Sequence, residues 1–236
     1  PAAVTLTSTS GGVVDNGDTA GEDVSANSGR LVVDAVTGVG SDGTGGGADA
    51  DIETAAASLD IDNSTSGVIA VDETDAVTVV KAVQGAADLA ISVIADGGIT
   101  VDNAGAGDAV IASGTGSIEL FAETAGSSLQ VNDGIASGSG AIDLDAEDDI
   151  SFQADGDITS VSGNVMVTAD DDGDAGGAGG ALTLVDGTVI NAGSGRITLE
   201  ADEDILLGRL VTANPGTSPA AVTLTSTSGG VVDNGD

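Results

Sequence analysis

The sequence predicts an all-β fold, a right-handed parallel β-helix with three faces and about nine coils in a unit of 218 residues. Three observations support this prediction. The two ends of the chain are identical, short aliphatic segments recur at similar intervals, and turn-forming residues separate these segments. A tandem array of β-sandwich domains is the alternative.

The terminal repeat defines the unit. Residues 1–18 and 219–236 both read PAAVTLTSTSGGVVDNGD, so the offset between the copies is 219 − 1 = 218 residues. We therefore predict that residues 1–218 form one full tandem unit and that residues 219–236 form the first coil of the next. A chain that begins with Pro is expected to be a segment of a longer array.

Period-2 alternation of apolar residues dominates the chain, as expected for half-buried strands. The segments that begin successive coils are separated by 23 to 32 residues, and Val77-Thr78-Val79 is a further segment inside one long interval. Such intervals are typical of a parallel β-helix. The segments are Val4-Thr5-Leu6, Leu31-Val32-Val33, Leu59-Asp60-Ile61, Leu89-Ala90-Ile91, Ile118-Glu119-Leu120, Ile142-Asp143-Leu144, Val165-Met166-Val167, Ile197-Thr198-Leu199 and Val222-Thr223-Leu224.

Two further apolar segments follow in most coils. The second is clear in GGITVDN at 97–103, and the third precedes a Ser/Gly turn in IASGTGS at 111–117 and IASGSGA at 135–141. Gly, Asn and Asp tolerate the left-handed backbone that a tight corner needs. Three strands and three corners in a coil predict a three-faced solenoid.

The apolar residues suit a narrow core. Val, Ile, Leu and Ala dominate, and the only aromatic residues are Phe121 and Phe152. Inward side chains of a β-helix stack on the next coil at about 4.8 Å, so nine coils advance the chain by about 43 Å. Sandwich domains of the immunoglobulin type usually have a core Trp or Tyr, and this chain has neither.

Two segments carry a resemblance to a known family. GDITSVSGNVMVTADDD at 156–172 and GSGRITLEADEDILLGRLVTA at 193–213 resemble coils of the filamentous-haemagglutinin-type β-helices found in very large bacterial surface proteins. The resemblance extends over most of the unit. It implies an exported, elongated adhesin or fibre outside the cell or on its surface, and it supplies no catalytic residues.

The charge excludes several classes of partner. The chain has 39 acidic and 4 basic residues, a formal net charge of −35. Nucleic acids and anionic membranes bind basic surfaces, so neither is an expected partner. Hydrophobic residues make up 40% of the chain, which argues against disorder. The chain has no Cys for disulfides or thiolate metal sites. It also has no apolar run long enough to predict insertion into a membrane.

No enzyme activity is expected. The chain has no His, Cys or Tyr, which excludes Ser-His and Cys-His nucleophilic schemes within it. Paired carboxylates can hydrolyse glycosides, but the chain lacks aromatic residues for stacking sugars. Its single lysine, Lys81, lies in VTVVKAVQGAADLA at 77–90, which is either a strand or a short helical stretch.

Acidic residues are predicted to form a ridge along one corner of the solenoid. Two like charges about 4.8 Å apart repel by about 3.5 kcal/mol at an effective dielectric of 20. The segment 170–174, with Asp174 as its last residue, is the strongest local candidate for a cation site. Alignment of the coils on their first strand gives three columns, which are Glu123, Glu147, Asp170 and Asp202; Asp148, Asp171 and Glu203; and Asp149, Asp172 and Asp204.

Two explanations of the ridge are open. Calcium accepts six to eight oxygen ligands in a flexible geometry, so the ridge is a candidate Ca²⁺ site. Alternatively, it is a solvated acidic surface that keeps the protein soluble. No cofactor is required by either explanation.

The sequence therefore predicts a structural role. Identical units joined head to tail are expected to form a long, acidic extracellular filament, sheath or stalk, with other copies of itself as partners and lateral bundling as a further contact. The alternative is a spacer or passenger repeat of a large cell-surface adhesin that mediates cell-cell or host attachment.

Overall fold

The chain folds as a parallel β-solenoid. The computed structural model describes residues 3–15, 21–40, 51–85, 87–103, 105, 107–170, 179–216 and 219–234. These residues form 22 strands with parallel pairing throughout and contain no helix. The solenoid has about 8 turns, which confirms the predicted parallel β-helix, and its right-handed sense is the one that parallel connections favour. Parallel pairing excludes the antiparallel β-sandwich alternative.

Three ladders of stacked strands run along the solenoid from residue 69 onward, and each turn visits ladders I, II and III in that order. Ladder I comprises β4 (Ile69–Glu73), β6 (Ile91–Ala95), β9 (Ile118–Ala122), β12 (Ile142–Ala146), β15 (Val165–Ala169), β18 (Ile197–Ala201) and β21 (Val222–Ser226). Ladder II comprises the start of β5 (Val77–Gln84), then β7 (Ile99–Val101), β10 (Leu129–Val131), β13 (Ile150–Phe152), β16 (Leu182–Leu184), β19 (Ile205–Leu207) and β22 (Val231–Asp233). Ladder III comprises the end of β5, then β8 (Val110–Ala112), β11 (Ile135–Ser137), β14 (Ile158–Ser160), β17 (Val189–Asn191) and β20 (Arg209–Val211).

The first turns have a different arrangement. β1 (Val4–Thr7) stacks on the second half of β2 (Val24–Ala35), which stacks on the second half of β3 (Ile52–Asn63). We call this stack the opening ladder. The first halves of β2 and β3 pair with each other, and isolated bridges join Val13 to Val39 and Val39 to Ile69.

The single alignment of coils predicted from the sequence is wrong at the opening ladder. Leu59 pairs with Val79 of β5, whereas Ile118 pairs with Ile91 and, through later turns, aligns with Val222. All faces carry the same alternation of aliphatic residues. Spacing along the chain therefore cannot show which ladder a segment joins.

Inward side chains form buried columns. In ladder I one column contains Leu120, Leu144 and Leu199 in register with Val93 and Val167, and these side chains are fully buried. Phe152 is the largest fully buried side chain. Burial of a Leu or Val side chain contributes about 1.5–3 kcal/mol, so the thin aliphatic core is the main source of stability.

One corner depends on glycine. Gly116, Gly140, Gly163 and Gly195 follow ladder III in successive turns, and a Cβ at each of the last three would overlap the carbonyl oxygen of the glycine one turn earlier. The backbones approach too closely there for any side chain. The Ser/Gly turns read from the sequence are therefore steric requirements of this corner.

Small hydroxyl side chains support the same corner from inside. Ser137 donates a hydrogen bond to the Gly140 carbonyl at 2.8 Å, and Thr212 donates one to the Gly195 carbonyl at 2.6 Å. Gly163 N–H donates to Ser160 Oγ at 2.8 Å. These bonds satisfy backbone groups that the tight turn removes from the ladders.

Candidate metal centre

Four of the acidic residues follow equivalent positions of ladder I. Ala122, Ala146, Ala169 and Ala201 occupy equivalent ladder I positions, so the four acids that follow them, Glu123, Glu147, Asp170 and Asp202, share a corner. Asp96 precedes them in the column, and Thr227 follows. The column is therefore five acidic residues long.

The other two columns are interrupted. Leu182 of β16 stacks between Ile150 and Ile205, so Ala181 lies between Asp149 and Asp204. In the same way, Gly180 lies between Asp148 and Glu203. Asp171, Asp172 and Asp174 themselves lie outside the described residues.

The interruption of the two columns follows from the length of the chain before β16. β13 and β19 each begin four residues after the preceding ladder I strand ends, whereas β16 begins thirteen residues after Ala169, since 182 − 169 = 13. An alignment that counts residues from the first strand cannot detect this additional length.

Several ridge carboxylates cap neighbouring backbone groups. Asp149 accepts a hydrogen bond from Ala181 N–H at 2.9 Å, and Asp204 accepts one from Gly230 N–H at 2.8 Å. Ser128 donates its hydroxyl to Asp148 at 3.2 Å. These bonds hold the start of one ladder II strand on its neighbour, so part of the ridge has a structural role.

A different set of carboxylates converges. Oxygens of Asp15, Asp23 and Glu53 lie within 4.8 Å of one another, and no other group of three or more such ligands does so among the residues that the structure describes. Calcium binds oxygen at 2.3–2.6 Å, so ligands on opposite sides of the ion lie about 4.6–5.2 Å apart. The spacing of the Asp15-Asp23-Glu53 cluster therefore fits a divalent cation.

The three carboxylates come from two successive turns, Asp15 and Asp23 from the first and Glu53 from the second. Asp15 follows the bridge at Val13, Asp23 precedes β2, and Glu53 points outward from β3. Asp23 N–H donates to the Glu53 carbonyl at 2.9 Å, which holds these two residues side by side. Sequence analysis missed the cluster because only the register of the opening turns brings these positions together.

The cluster concentrates negative charge. Burial raises the pKa of Glu53 to about 7, and the hydrogen bond and charge of Asp23 and the charge of Asp51 act in the same direction. Like charges that share a site disfavour ionisation. A bound divalent cation would replace the proton and remove this repulsion.

The repulsion continues along ladder I. Burial raises the pKa of Asp72, with the charges of Asp51 and Asp96 adding to the effect. Burial also raises the pKa of Glu123, and Asp72 and Asp96 add to it. Repulsion between acidic residues therefore acts at Glu53 and also at Asp72 and Glu123.

Basic residues provide little compensation. In the described part of the chain, the ion pairs are Arg30 with Asp60 at 3.5 Å and Lys81 with Asp62. Both are partly exposed and contribute about 0–1 kcal/mol each. Lys81 lies in strand β5, which decides between the strand and helix predicted for residues 77–90.

Glu73 is a buried carboxyl that the sequence analysis did not single out. It has no exposed surface and occupies an inward ladder I position in register with Ala95. Thr54 donates its hydroxyl to Glu73 Oε2 at 2.6 Å, and Ala56 N–H donates to Oε1 at 2.9 Å. Burial raises the pKa of Glu73 to about 7, although these hydrogen bonds and one from Asp75 lower it.

Comparison with family models, with curated proteins and with solved structures found no match to this chain. Among the described residues there is also no helix long and apolar enough to cross a membrane.

Proposed function

We propose that this chain is the structural repeat of a long, acidic, extracellular filament, sheath or stalk built by end-to-end stacking of β-helix units. One observation carries the proposal. β21 and β22, which belong to the second copy of the terminal repeat, stack in register on β18 and β19. The junction between units is therefore formed by the same strand pairing as the interior.

Strands β21 and β22 present apolar residues on which a further turn can stack. Val222 and Val231 are 36% and 45% exposed, whereas Ile197 and Ile205, the inward residues with which they pair, are fully buried. In the first copy, Val4 is partly covered because it stacks on Leu31. A following unit would cover Val222 in the same way and would remove an exposed strand edge that favours aggregation.

The charge suits a filament that remains dispersed. Each unit carries many more acids than bases, and like-charged rods repel within a Debye length of about 8 Å at physiological ionic strength. Divalent cations would reduce this repulsion and bundle the rods. The resemblance to filamentous-haemagglutinin-type coils supports export and a location at the cell surface.

An adhesin spacer is the second candidate. In that case the units hold a binding head, carried by another part of the protein, away from the cell. Immunogold electron microscopy of source cells, with an antibody against this chain, distinguishes the two. Label along uniform surface filaments supports the structural proposal, and label along thin tethers with a distinct tip supports the spacer. Label confined to the cell interior contradicts both.

The proposal includes a divalent cation at the Asp15-Asp23-Glu53 cluster. We expect calcium to raise the melting temperature of the unaltered chain at moderate ionic strength and Glu53→Gln to lose most of this gain. A ligand at one hundred times its Kd stabilises the folded state by about 2.7 kcal/mol. Calorimetry with calcium or with a chelator measures the effect.

Two glutamates provide controls of equal charge change. Glu200→Gln, on the outer side of β18, should keep the calcium response. Glu203→Gln tests the ridge predicted from the sequence. If Glu203→Gln rather than Glu53→Gln abolishes the response, calcium binds the ridge. If the unaltered chain shows no response, the acidic surface is simply solvated and the cation proposal is wrong.

A further inference from the structure

The first strands of the two identical terminal segments belong to different ladders. Val4 stacks on Leu31 in the opening ladder, whereas its counterpart Val222 stacks on Ile197 in ladder I. Among the described strands no pairing joins the opening ladder to ladder I, because the opening ladder continues through β5 into β7 and β8. The same residues therefore occupy two positions around the solenoid.

The second strand of the repeat shows the same change. Val13 bridges Val39, which bridges β4 at the start of ladder I. Its counterpart Val231 stacks on Ile205 in ladder II. Both strands of the second copy therefore lie at a different position around the solenoid axis from those of the first copy, and their order around the axis is the same.

β5 divides one face into two. It stacks on β3 as a single strand, with Leu59 opposite Val79, Ile61 opposite Ala82 and a shift of register at Val80. In the next turn two separate strands stack on β5: β7 on its start and β8 on its end. The opening ladder thus becomes ladders II and III, with a corner between them.

β4 joins two separate pairings in one strand. Ile69 bridges Val39, while Val71 pairs with Ile52. Twelve residues separate Val39 from Ile52 along the chain, since 52 − 39 − 1 = 12, but only one separates Ile69 from Val71. β6 then stacks on the whole of β4 as a straight strand, so ladder I begins at β4.

These changes at β4 and β5, which we call the inversion, place ladder I opposite the opening ladder. In a three-faced prism each face lies opposite the corner between the other two. The opening ladder continues into ladders II and III, so ladder I lies opposite the corner that replaces it. The path from β1 to β21 takes three turns to β5, half a turn to β6 and about five turns to β21, which gives about eight and a half turns.

We infer that successive units of the filament are related by half a turn about the solenoid axis, added to whatever twist the stacked strands accumulate. The inference rests on the proposed function, because it requires a following unit. The inversion that causes it lies within one unit. Each surface feature of a unit therefore alternates between opposite sides of the filament.

The Asp15-Asp23-Glu53 cluster of successive units would therefore lie on two opposite sides of the filament, with about 80 Å between clusters on one side, because two units contain about 17 turns of 4.8 Å.

Engineered cysteine pairs test the inversion in the 236-residue chain, which has no Cys of its own. Asp62 and Val83 point outward and are in register, as are Asp72 and Ile94. Parallel neighbours lie within the range of Cα separations, about 4.4–6.8 Å, that disulfides bridge. We expect D62C/V83C and D72C/I94C each to oxidise to a disulfide in most molecules, as measured by mass spectrometry of peptides.

D62C/I94C is the opposing pair. It forms only if β3 stacks directly on β6, with Leu59 beside Ile91, which would keep both copies of the repeat on one face. A disulfide in D62C/I94C and none in D62C/V83C would overturn the inference. Formation of the disulfide in D72C/I94C shows in either case that the fold is intact. The cross-links do not depend on where the protein resides, so they can succeed even if the immunogold experiment excludes a surface filament.

Discussion

Gly140→Ala is expected to destabilise the solenoid by about 3 kcal/mol or more. A Cβ at this position would overlap the Gly116 carbonyl group and the Ser117 nitrogen of the preceding turn, and these backbone atoms leave it no space. Relief requires the two turns to separate, which breaks ladder III hydrogen bonds and opens the core at that corner. Denaturant unfolding followed by circular dichroism measures the loss.

Gly126→Ala is the matched control. Gly126 has a φ of 82° and no atom within 4 Å of the position that a Cβ would occupy. The left-handed conformation alone costs a residue with a Cβ about 1–2 kcal/mol. Gly140→Ala should therefore be clearly more destabilising than Gly126→Ala. Equal effects would show that steric stacking does not limit this corner.

Glu73→Gln is expected to stabilise the chain at pH 8 by up to about 3 kcal/mol and to have little effect at pH 4. The pKa of Glu73 rises from its ordinary 4.5 to about 7 in the folded protein. Between these values the folded state holds a proton that the unfolded state has lost, so its stability falls as the pH rises. Gln resembles the protonated carboxyl, still accepts the hydrogen bond from Ala56 N–H, and removes this pH dependence.

The measurement is the free energy of unfolding from pH 4 to 8 in the presence of a chelator. General repulsion among the acids also lowers stability as the pH rises, so Glu200→Gln, which removes an outward charge, is the reference. Glu73→Gln should flatten the pH profile between pH 4.5 and 7 much more than Glu200→Gln does. Parallel profiles would mean that Glu73 is not the buried titrating group.

Local patterns in the sequence were sufficient to predict the general fold. Alternating residues such as Ile142, Leu144 and Ala146 identify strands with one buried side, and the Ser/Gly turns identify a corner where backbones touch. Alignment of the coils on their first strand also placed Glu123 and Asp202 in one column. These inferences succeeded because each depends on a few adjacent residues and on the short distance between turns.

Long-range register was not predictable in the same way. The inversion depends on two pairings that meet in β4 and on a shift of register at Val80 in β5, and neither changes the aliphatic pattern. The Asp15-Asp23-Glu53 cluster follows from that register as well. Glu73 was detectable, because alternation from Ile69 through Val71 places it on the inner side of β4. A charged residue at an inward position was the signal.

Cryo-electron microscopy of a chain of several tandem units tests the central claim, continuous stacking across unit junctions, most directly. We predict an unbroken rod with strands about 4.8 Å apart through every junction and an advance of about 41 Å per unit, since each unit contains about eight and a half turns. Compact domains separated by flexible or irregular linkers would contradict this account.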